Sequence, residues 1–243
     1  PMNISKRLQA VAAMVSDSTF GDSHRVVDVG TDHGYIPIFL MKSGKISEAV
    51  AMDVNEGPLS KADFNIHSYG FEDRISTCLS DGLEKYQAKP EDSIVIAGMG
   101  GLLMIRILAE GMDKLSKIRE LILQPQSDIG LVRHFLHDHG FIIDQENMLI
   151  DDGKYYTMMH AVWGPKDDLD TAYEQPWMYA YGKLLVEHRH PVLKQFLEKE
   201  LSVNTQICCH LEAVGSQTAL CRADEMRKEI AMIKEVLDIY DRK

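Results

Sequence analysis

Cysteine is scarce in this chain. Only Cys78, Cys208, Cys209 and Cys221 occur, and no two of them form a C-x-x-C pair. Adjacent cysteines do not suit an ordinary zinc site, so neither a structural zinc nor a disulfide framework is expected. The four read as reduced thiols of an intracellular protein. Long apolar runs are missing too: none approaches the roughly 18 residues that a membrane-spanning helix needs. The opening residues Pro1-Met2-Asn3-Ile4-Ser5-Lys6-Arg7 lack the apolar core of a signal peptide, so the expected location is the cytoplasm. Positive charge is in deficit, with 26 basic against 37 acidic residues and a net charge of −11. Residues 1–165 hold 15 basic and 23 acidic residues, and 166–243 hold 11 and 14, so neither part is a basic nucleic-acid domain. A nucleic-acid partner would have to be met by a local basic patch working against the global field. Finally, no G-x-G-x-x-G stands after a predicted strand, which speaks against an NAD or FAD site.

What is present is an alternation. Ile4, Leu8, Val11 and Val15 repeat at four, three and four residues and predict a helix over 4–15, followed by a polar loop from Asp17 to Ser23. Arg25–Gly30, Ala49–Asp53, Arg74–Leu79, Asp92–Ala97 and Glu120–Gln126 read as buried strands. Between them, Tyr35–Lys42, Pro58–Tyr69, Leu102–Gly111 and Ile129–His139 read as helices, with Pro37 tolerable in a first turn. Phe141–Leu149 and Tyr155–Trp163 pair across Asp151-Asp152-Gly153, a hairpin signal. Strands alternating with helices predict an α/β fold: a mostly parallel, doubly wound sheet ending in an antiparallel hairpin. After Trp163 the texture changes. Gly164–Asp168 reads as a linker, and 176–241 carries no convincing strand. A helix from Pro191 to about Val214 breaks at Gly215-Ser216-Gln217. Met226, Ile230, Ile233, Leu237 and Tyr240 then form a heptad seam, which predicts an antiparallel, coiled-coil-like helical hairpin. The expected domains are 1–165 and 166–243.

The chemistry-bearing residues fall at or just after strand ends, where open α/β sheets bind ligands. Asp28-Val29-Gly30-Thr31-Asp32-His33-Gly34 follows the first strand. Its glycines Gly30 and Gly34 allow close backbone approach, while Asp32 would repel a pyrophosphate. A cationic ligand such as S-adenosylmethionine suits these acids better. Asp53 ends the second strand, 25 residues after Asp28, where a carboxylate accepts ribose hydroxyls. Asp81 and Gly82 follow the third strand, and Asp81 can accept from an adenine amino group. Gly98-Met99-Gly100-Gly101 leaves a bare backbone after the fourth strand. Gln124 and Gln126 bring two amides able to read a nucleobase edge. Taken singly, each of these motifs also fits a tight turn with solvated side chains. His134 and His137 share a helix face but have no acids nearby in ligand spacing, His188 and His190 do not share one, and no metal is expected.

Taken together, Asp28–Pro37, Ile96–Gly101 and Leu121–Gln126 resemble the bacterial TrmK-type tRNA adenine-N1 methyltransferases. The likeness extends into the tail through Tyr181-Gly182-Lys183-Leu184-Leu185 and His190-Pro191-Val192-Leu193. The resemblance implies a class I, Rossmann-like methyltransferase domain with a helical C-terminal domain. It also implies methyl transfer from S-adenosylmethionine to N1 of the adenine at tRNA position 22. Cofactor contacts are then expected from Asp28, Gly30, Thr31, Gly34, Asp53, Asp81, Gly82 and Gly98. The Asn/Asp-Pro-Pro-aromatic motif of many aminomethyl-transferring relatives is replaced by Gly98-Met99-Gly100-Gly101. The groups orienting adenine must therefore come from backbone or from elsewhere.

On that reading the methylated ring is cationic and can lose a proton from N6. Asp32 is the first candidate to take up that charge and His33 the second, with Gln124 and Gln126 holding the base. Lys6, Arg7 and Lys154 are the expected tRNA contacts, and the tail adds Arg189, Lys194, Lys199, Arg222, Arg227 and Lys228. A monomer is expected. Two alternatives stand beside this reading: a methyltransferase for a small molecule or protein, which the acidic balance favours, and a non-enzymatic nucleotide-binding module.

Overall fold

The computed structural model describes residues 4–17, 23–164 and 173–242. Most of the expected loop at 17–23 and of the linker at 164–168 lies outside the described residues. The chain forms two compact units, Pro1–Thr171 and Ala172–Lys243. No helix among the described residues is long and apolar enough to cross a membrane.

The first unit is one seven-stranded sheet flanked by helices. Its elements in chain order are α1 (Lys6–Met14), β1 (Arg25–Val29), α2 (Tyr35–Lys42), β2 (Glu48–Asp53), α3 (Glu56–Ser68), β3 (Ile75–Leu79), β4 (Asp92–Met99), α4 (Gly101–Glu110), α5 (Met112–Leu115), β5 (Glu120–Pro125), α6 (Ile129–Asp138), β6 (Phe141–Asp151) and β7 (Lys154–Trp163). The spatial order is β3-β2-β1-β4-β5-β7-β6. The first five strands run parallel, β7 joins β5 antiparallel, and β6 closes the edge as its hairpin partner. The mostly parallel sheet and the antiparallel hairpin are those the sequence predicts. Asp152 and Gly153 both have positive φ (49° and 73°), the geometry a two-residue hairpin turn demands.

Both faces of the sheet are buried, which is why its strands read as continuous apolar runs. Val27, Val29, Ile94, Ile96, Leu121 and Leu123 face α4 and α6, while Val26, Ala49, Val95 and Ile122 face α1 and α2. The chain lays β2 and β3 to one side of β1, then crosses back to lay β4 and β5 on the other. At that reversal the crossover helices diverge and leave a crevice at the carboxyl ends of β1 and β4.

Two expectations need correction. The fourth strand continues past Ala97 through Gly98 to Met99. Gly98, at φ 79°, is an extra residue in a bulge, because Ala97 pairs with Gln124 and Met99 already with Pro125. The short helix α5 was not expected from the sequence.

The second unit is helical. A π-helical turn (Met178–Gly182) runs into α7 (Lys183–Glu187), and α8 (Pro191–Val214) and α9 (Gln217–Asp241) form a hairpin. Pro191 opens α8, Gly215 in the left-handed region ends it, and Ser216 caps α9 by accepting from Ala219 N–H. The buried line of α9 starts earlier than the predicted seam, at Ala219 and Ala223. It ends on Ile233 and Val236, with Leu237 and Tyr240 half-buried.

Candidate active site

Two adjoining chambers open at the carboxyl ends of the strands. The first, of about 240 Å³, is lined among others by Asp53, Asp81, Gly82, Leu103, Arg106 and Ile107. The second, of about 210 Å³, is lined among others by Arg7, Asp28, Asp32, Tyr35 and Ile36. Gly30, Ala97 and Gly98 belong to both, so the backbone of β1 and of the β4 bulge forms their junction. Gly30 has φ 74°, and Gly98 stands so close to α1 that an added Cβ would lie 3.3 Å from Arg7 Nη1. A side chain at either position would strain the backbone and intrude on the junction.

Asp28 is buried, only 4% exposed. Burial pushes its carboxyl up to about 6. The hydrogen bond from Thr31 Oγ1 (2.6 Å) opposes that rise, and the neighbouring carboxylates of Asp53 and Asp32 add to it. Thr31 steadies the Asp28 carboxyl through that bond, its own N–H donating to Met52 O. Asp53 in the first chamber accepts from Asn55 N–H through Oδ1 (2.8 Å), which fixes its rotamer. Asp81 lies at the rim of the first chamber and pairs with Arg106 Nη2 at 2.9 Å, a hydrogen bond that holds its carboxyl below the usual range. Gly82, at φ 52°, packs on Ile107. Gly34 lines neither chamber. It is the left-handed N-cap of α2 and lies against Ala62 of α3.

Asp32 lines the second chamber with its side chain 80% exposed, and His33 Nε2 lies 3.0 Å from Asp32 Oδ1. The two amides are placed differently. Gln124 is buried, with its carbonyl oxygen accepting from Arg7 Nη1 at 2.8 Å and its amide nitrogen donating to Pro125 O. Gln126 is exposed, and its backbone N–H donates to Met99 O across the bulge. Neither is among the residues that line the two chambers.

Arg7, expected as a tRNA contact beside the entrance, turns its guanidinium into the second chamber, bonded to Gln124 and lying 5.6 Å from the centre of the Tyr156 ring. Its backbone N–H donates to Asp151, and Asp151 pairs in register with Lys154. The hairpin turn and the start of α1 therefore meet, and Lys6, Arg7 and Lys154 gather at one corner of the unit. In the tail, Lys194 pairs with Asp241 and Glu198, Arg227 with Glu212 and Asp224, and Arg189 donates to Arg242 O. Arg222 and Lys228 are exposed. Asn55, Arg106, Leu103, Tyr35 and Leu8 complete the chambers without having been singled out. Only Asn55, two residues beyond Asp53, carried a local signal.

A separate charged cluster lies at the opposite, amino end of the sheet. Glu120 accepts from His160 Nε2 (2.7 Å), Ser93 Oγ (2.5 Å), Ser16 N–H (2.9 Å) and Ser16 Oγ. His160 Nδ1 bonds Asp144. Burial would raise Glu120, but these hydrogen bonds outweigh it and hold the carboxyl at about 2. Burial would likewise lower His160, but Asp144 and Glu120 push it up to about 9. His160 is therefore an imidazolium buried between two carboxylates. With the Ser93 proton given to Glu120, His24 Nε2–H donates to Ser93 Oγ (2.7 Å), and burial pushes the His24 imidazole below its usual range. This cluster ties the segment after α1 to β4, β5, β6 and β7 at the end of the sheet away from the chambers.

The chambers fit a cationic nucleoside. Carboxylates at Asp53 and Asp81 can accept from hydroxyl or amino groups. Leu103, Ile107 and Met99 can flank a flat ring, and Asp28 presents a buried negative charge to the second chamber. Residues 4–159 match the model of a methyltransferase domain. Over 241 residues, covering 98% of both chains, the sequence is 31% identical to the tRNA (adenine(22)-N(1))-methyltransferase of Bacillus subtilis. A Streptococcus pneumoniae protein solved in complex with S-adenosyl-L-methionine is 35% identical over 97% of this chain and 100% of its own, with a TM-score of 0.80. The Mycoplasma capricolum protein TrmK, solved with S-adenosyl-homocysteine, is 25% identical over 98% of this chain and 99% of its own, with a TM-score of 0.81.

Proposed function

We infer that this chain, which belongs to the tRNA (adenine(22)-N1)-methyltransferase family of methyltransferase-domain proteins, methylates N1 of an adenine in tRNA with S-adenosylmethionine as methyl donor. The observation that carries this reading is the pair of chambers joined at Gly30 and Gly98, one lined by Asp53 and Asp81 beside Leu103 and Ile107, the other by Asp28 and Asp32 beside Arg7 and Tyr35. When bound, S-adenosylmethionine supplies an electrophilic methyl group on a positively charged sulfur. The junction lets such a group face an acceptor in the second chamber. Catalysis on this plan is chiefly positioning. The readings of a small-molecule or protein methyltransferase and of a non-enzymatic module drop out. A relative matched along essentially its whole length is named for tRNA adenine methylation, and four acids line the two adjoining chambers, which a scaffold does not need.

Asp53 holds the ribose hydroxyls, and Asp81 with the Gly82 backbone holds the adenine amino group at the rim. Asp28, steadied by Thr31, faces the ammonium end. Gly30 and Gly98 keep the junction clear. Adenine N1 attacks with its own lone pair and needs no base for that step. Asp32 then stands at the open side of the chamber to stabilise the cationic product ring or take its N6 proton, with His33 donating to it. Gln124 acts through Arg7, holding the guanidinium against the chamber wall, and the backbone around Gln126 braces the bulge. The corner carrying Lys6, Arg7 and Lys154 contacts tRNA phosphates, and residues 166–243 form a separate helical domain. The enzyme works in the cytoplasm as a monomer and without metal. Incubating the protein with tRNA and S-adenosylmethionine and digesting the RNA for nucleoside mass spectrometry tests the reading. N1-methyladenosine is the expected product, and its absence with folded, cofactor-binding protein overturns it.

A further inference from the structure

Beside the second chamber, between α2 and α3, lies a third, more open hollow of about 440 Å³. It is lined by His33, Tyr35, Ser60, Lys61, Phe64 and Asn65. No role in binding cofactor or target base requires it. One of its rings is displayed to solvent: Phe64 is 71% exposed, while Leu59, Ala62 and Ile66 of the same helix are buried. His33 is held at φ 62°, a conformation unfavourable for a residue with a Cβ, and Asn65 Nδ2 pins it there by donating to His33 O at 2.9 Å. The imidazole lies nearly parallel to the Tyr35 ring, with centroids 5.2 Å apart and planes at 12°. Tyr35 also lines the second chamber, so hollow and chamber share a wall. Among the lining residues the only formal charge is that of Lys61, and none is a carboxylate.

We propose that this hollow receives a nucleobase of the tRNA immediately adjacent to the target adenine, stacked on Phe64. The proposal rests on the tRNA adenine reading above. A target adenine must leave its stack to reach the junction, and its neighbour then loses a stacking partner. An aromatic face one nucleotide away replaces that partner whatever the base is, because every base has a π-face. Lys61 supplies a cation for the connecting phosphate, where the net field of the protein is repulsive. A ring exposed to this degree, beside a strained and braced histidine in a hollow that shares Tyr35 with the chamber, fits a splayed single-stranded nucleotide better than a helical duplex surface.

The test compares wild type, Phe64→Ala and Phe64→Trp on intact tRNA and on tRNAs carrying an abasic site on either side of the target. Phe64→Ala is expected to raise KM for intact tRNA about 5- to 100-fold, the range of base–aromatic stacking. Cofactor affinity and kcat at saturating tRNA should stay unchanged, and Phe64→Trp should restore KM. One abasic substrate is expected to weaken wild type by a similar factor and to weaken Phe64→Ala no further. An unchanged KM in Phe64→Ala overturns the proposal. So does an equal relative loss on intact and both abasic substrates, which would assign Phe64 to another contact such as a protein partner. If wild type itself methylates no tRNA, the functional reading fails in that arm and takes the proposal with it.

Discussion

Asp28 offers the sharpest test of the site. Its carboxyl is pushed up to about 6 because burial disfavours the charge and the nearby carboxylates repel it. In the free protein about nine-tenths is ionised at pH 7 and about one-tenth at pH 5. A ligand whose ammonium group requires the ionised form, and itself stays protonated over this range, should bind about tenfold more weakly at pH 5 than at pH 7. Asp28→Asn keeps the shape and an oxygen for the Thr31 hydroxyl, but removes the charge. Losing one charge-assisted contact should weaken S-adenosylhomocysteine binding about 10- to 100-fold at pH 7 and flatten the pH dependence. The stability effect has the opposite sign. A carboxyl with a raised folded-state pKa binds its proton more tightly when folded, so it costs stability as pH rises from about 4 to 6. Asp28→Asn should therefore stabilise the free protein by up to about 3 kcal/mol at pH 7, and by little at pH 4. Calorimetric titration between pH 5 and 8, with urea unfolding of the free protein at both ends, measures both arms. Wild-type affinity with an unchanged pH profile in Asp28→Asn would refute the assignment of this charge to the ligand.

Asp53→Ala should weaken cofactor binding at least about tenfold with the fold intact, since a charge-assisted bond contributes about 1.5–3 kcal/mol; unaltered calorimetric affinity would remove Asp53 from the ribose site. Lys6→Glu, on an exposed side chain, should raise KM for tRNA in a salt-dependent way and leave kcat alone, whereas Arg7→Ala, which releases Gln124 and opens the chamber wall, should lower kcat as well; steady-state kinetics at two salt concentrations would show identical profiles if Arg7 were only a phosphate contact. The His160 imidazolium, with its folded pKa of about 9, contributes stability that is fully present below about pH 6.5 and lost as pH rises through 9. Urea unfolding free energy should fall by about 3 kcal/mol over that interval, and His160→Gln should abolish the slope.

The elements of the first unit were legible because each has a local cause. Continuous β-branched and aliphatic runs mark strands buried on both faces, and Asp152-Gly153 supplies the positive φ of its turn. Pro191 and Gly215 mark the start and end of α8 for equally local reasons. The acids at the strand ends could be picked out because a parallel sheet brings all its carboxyl ends to one side, whatever the strand order. What the linear pattern could not hold was that order. Placing β4 beside β1 is a matter of packing between distant segments, and it alone decides that the crevice opens at Gly30 and Gly98. The bulge at Gly98 depends on register against β5, since Ala97 and Met99 pair with neighbouring residues of that strand. Arg7 reads as a solvated cation until the fold brings Gln124, 117 positions away, within 2.8 Å of its guanidinium. The buried charge of His160 likewise exists only because β7 lies between β5 and β6, setting it against Glu120 of one and Asp144 of the other at once. Side-chain type and spacing thus determine which elements form and which chemistry reaches the sheet's end. Long-range packing determines which of those groups meet, because electrostatic and hydrogen-bonding contacts act over a few ångströms of space and not along the chain.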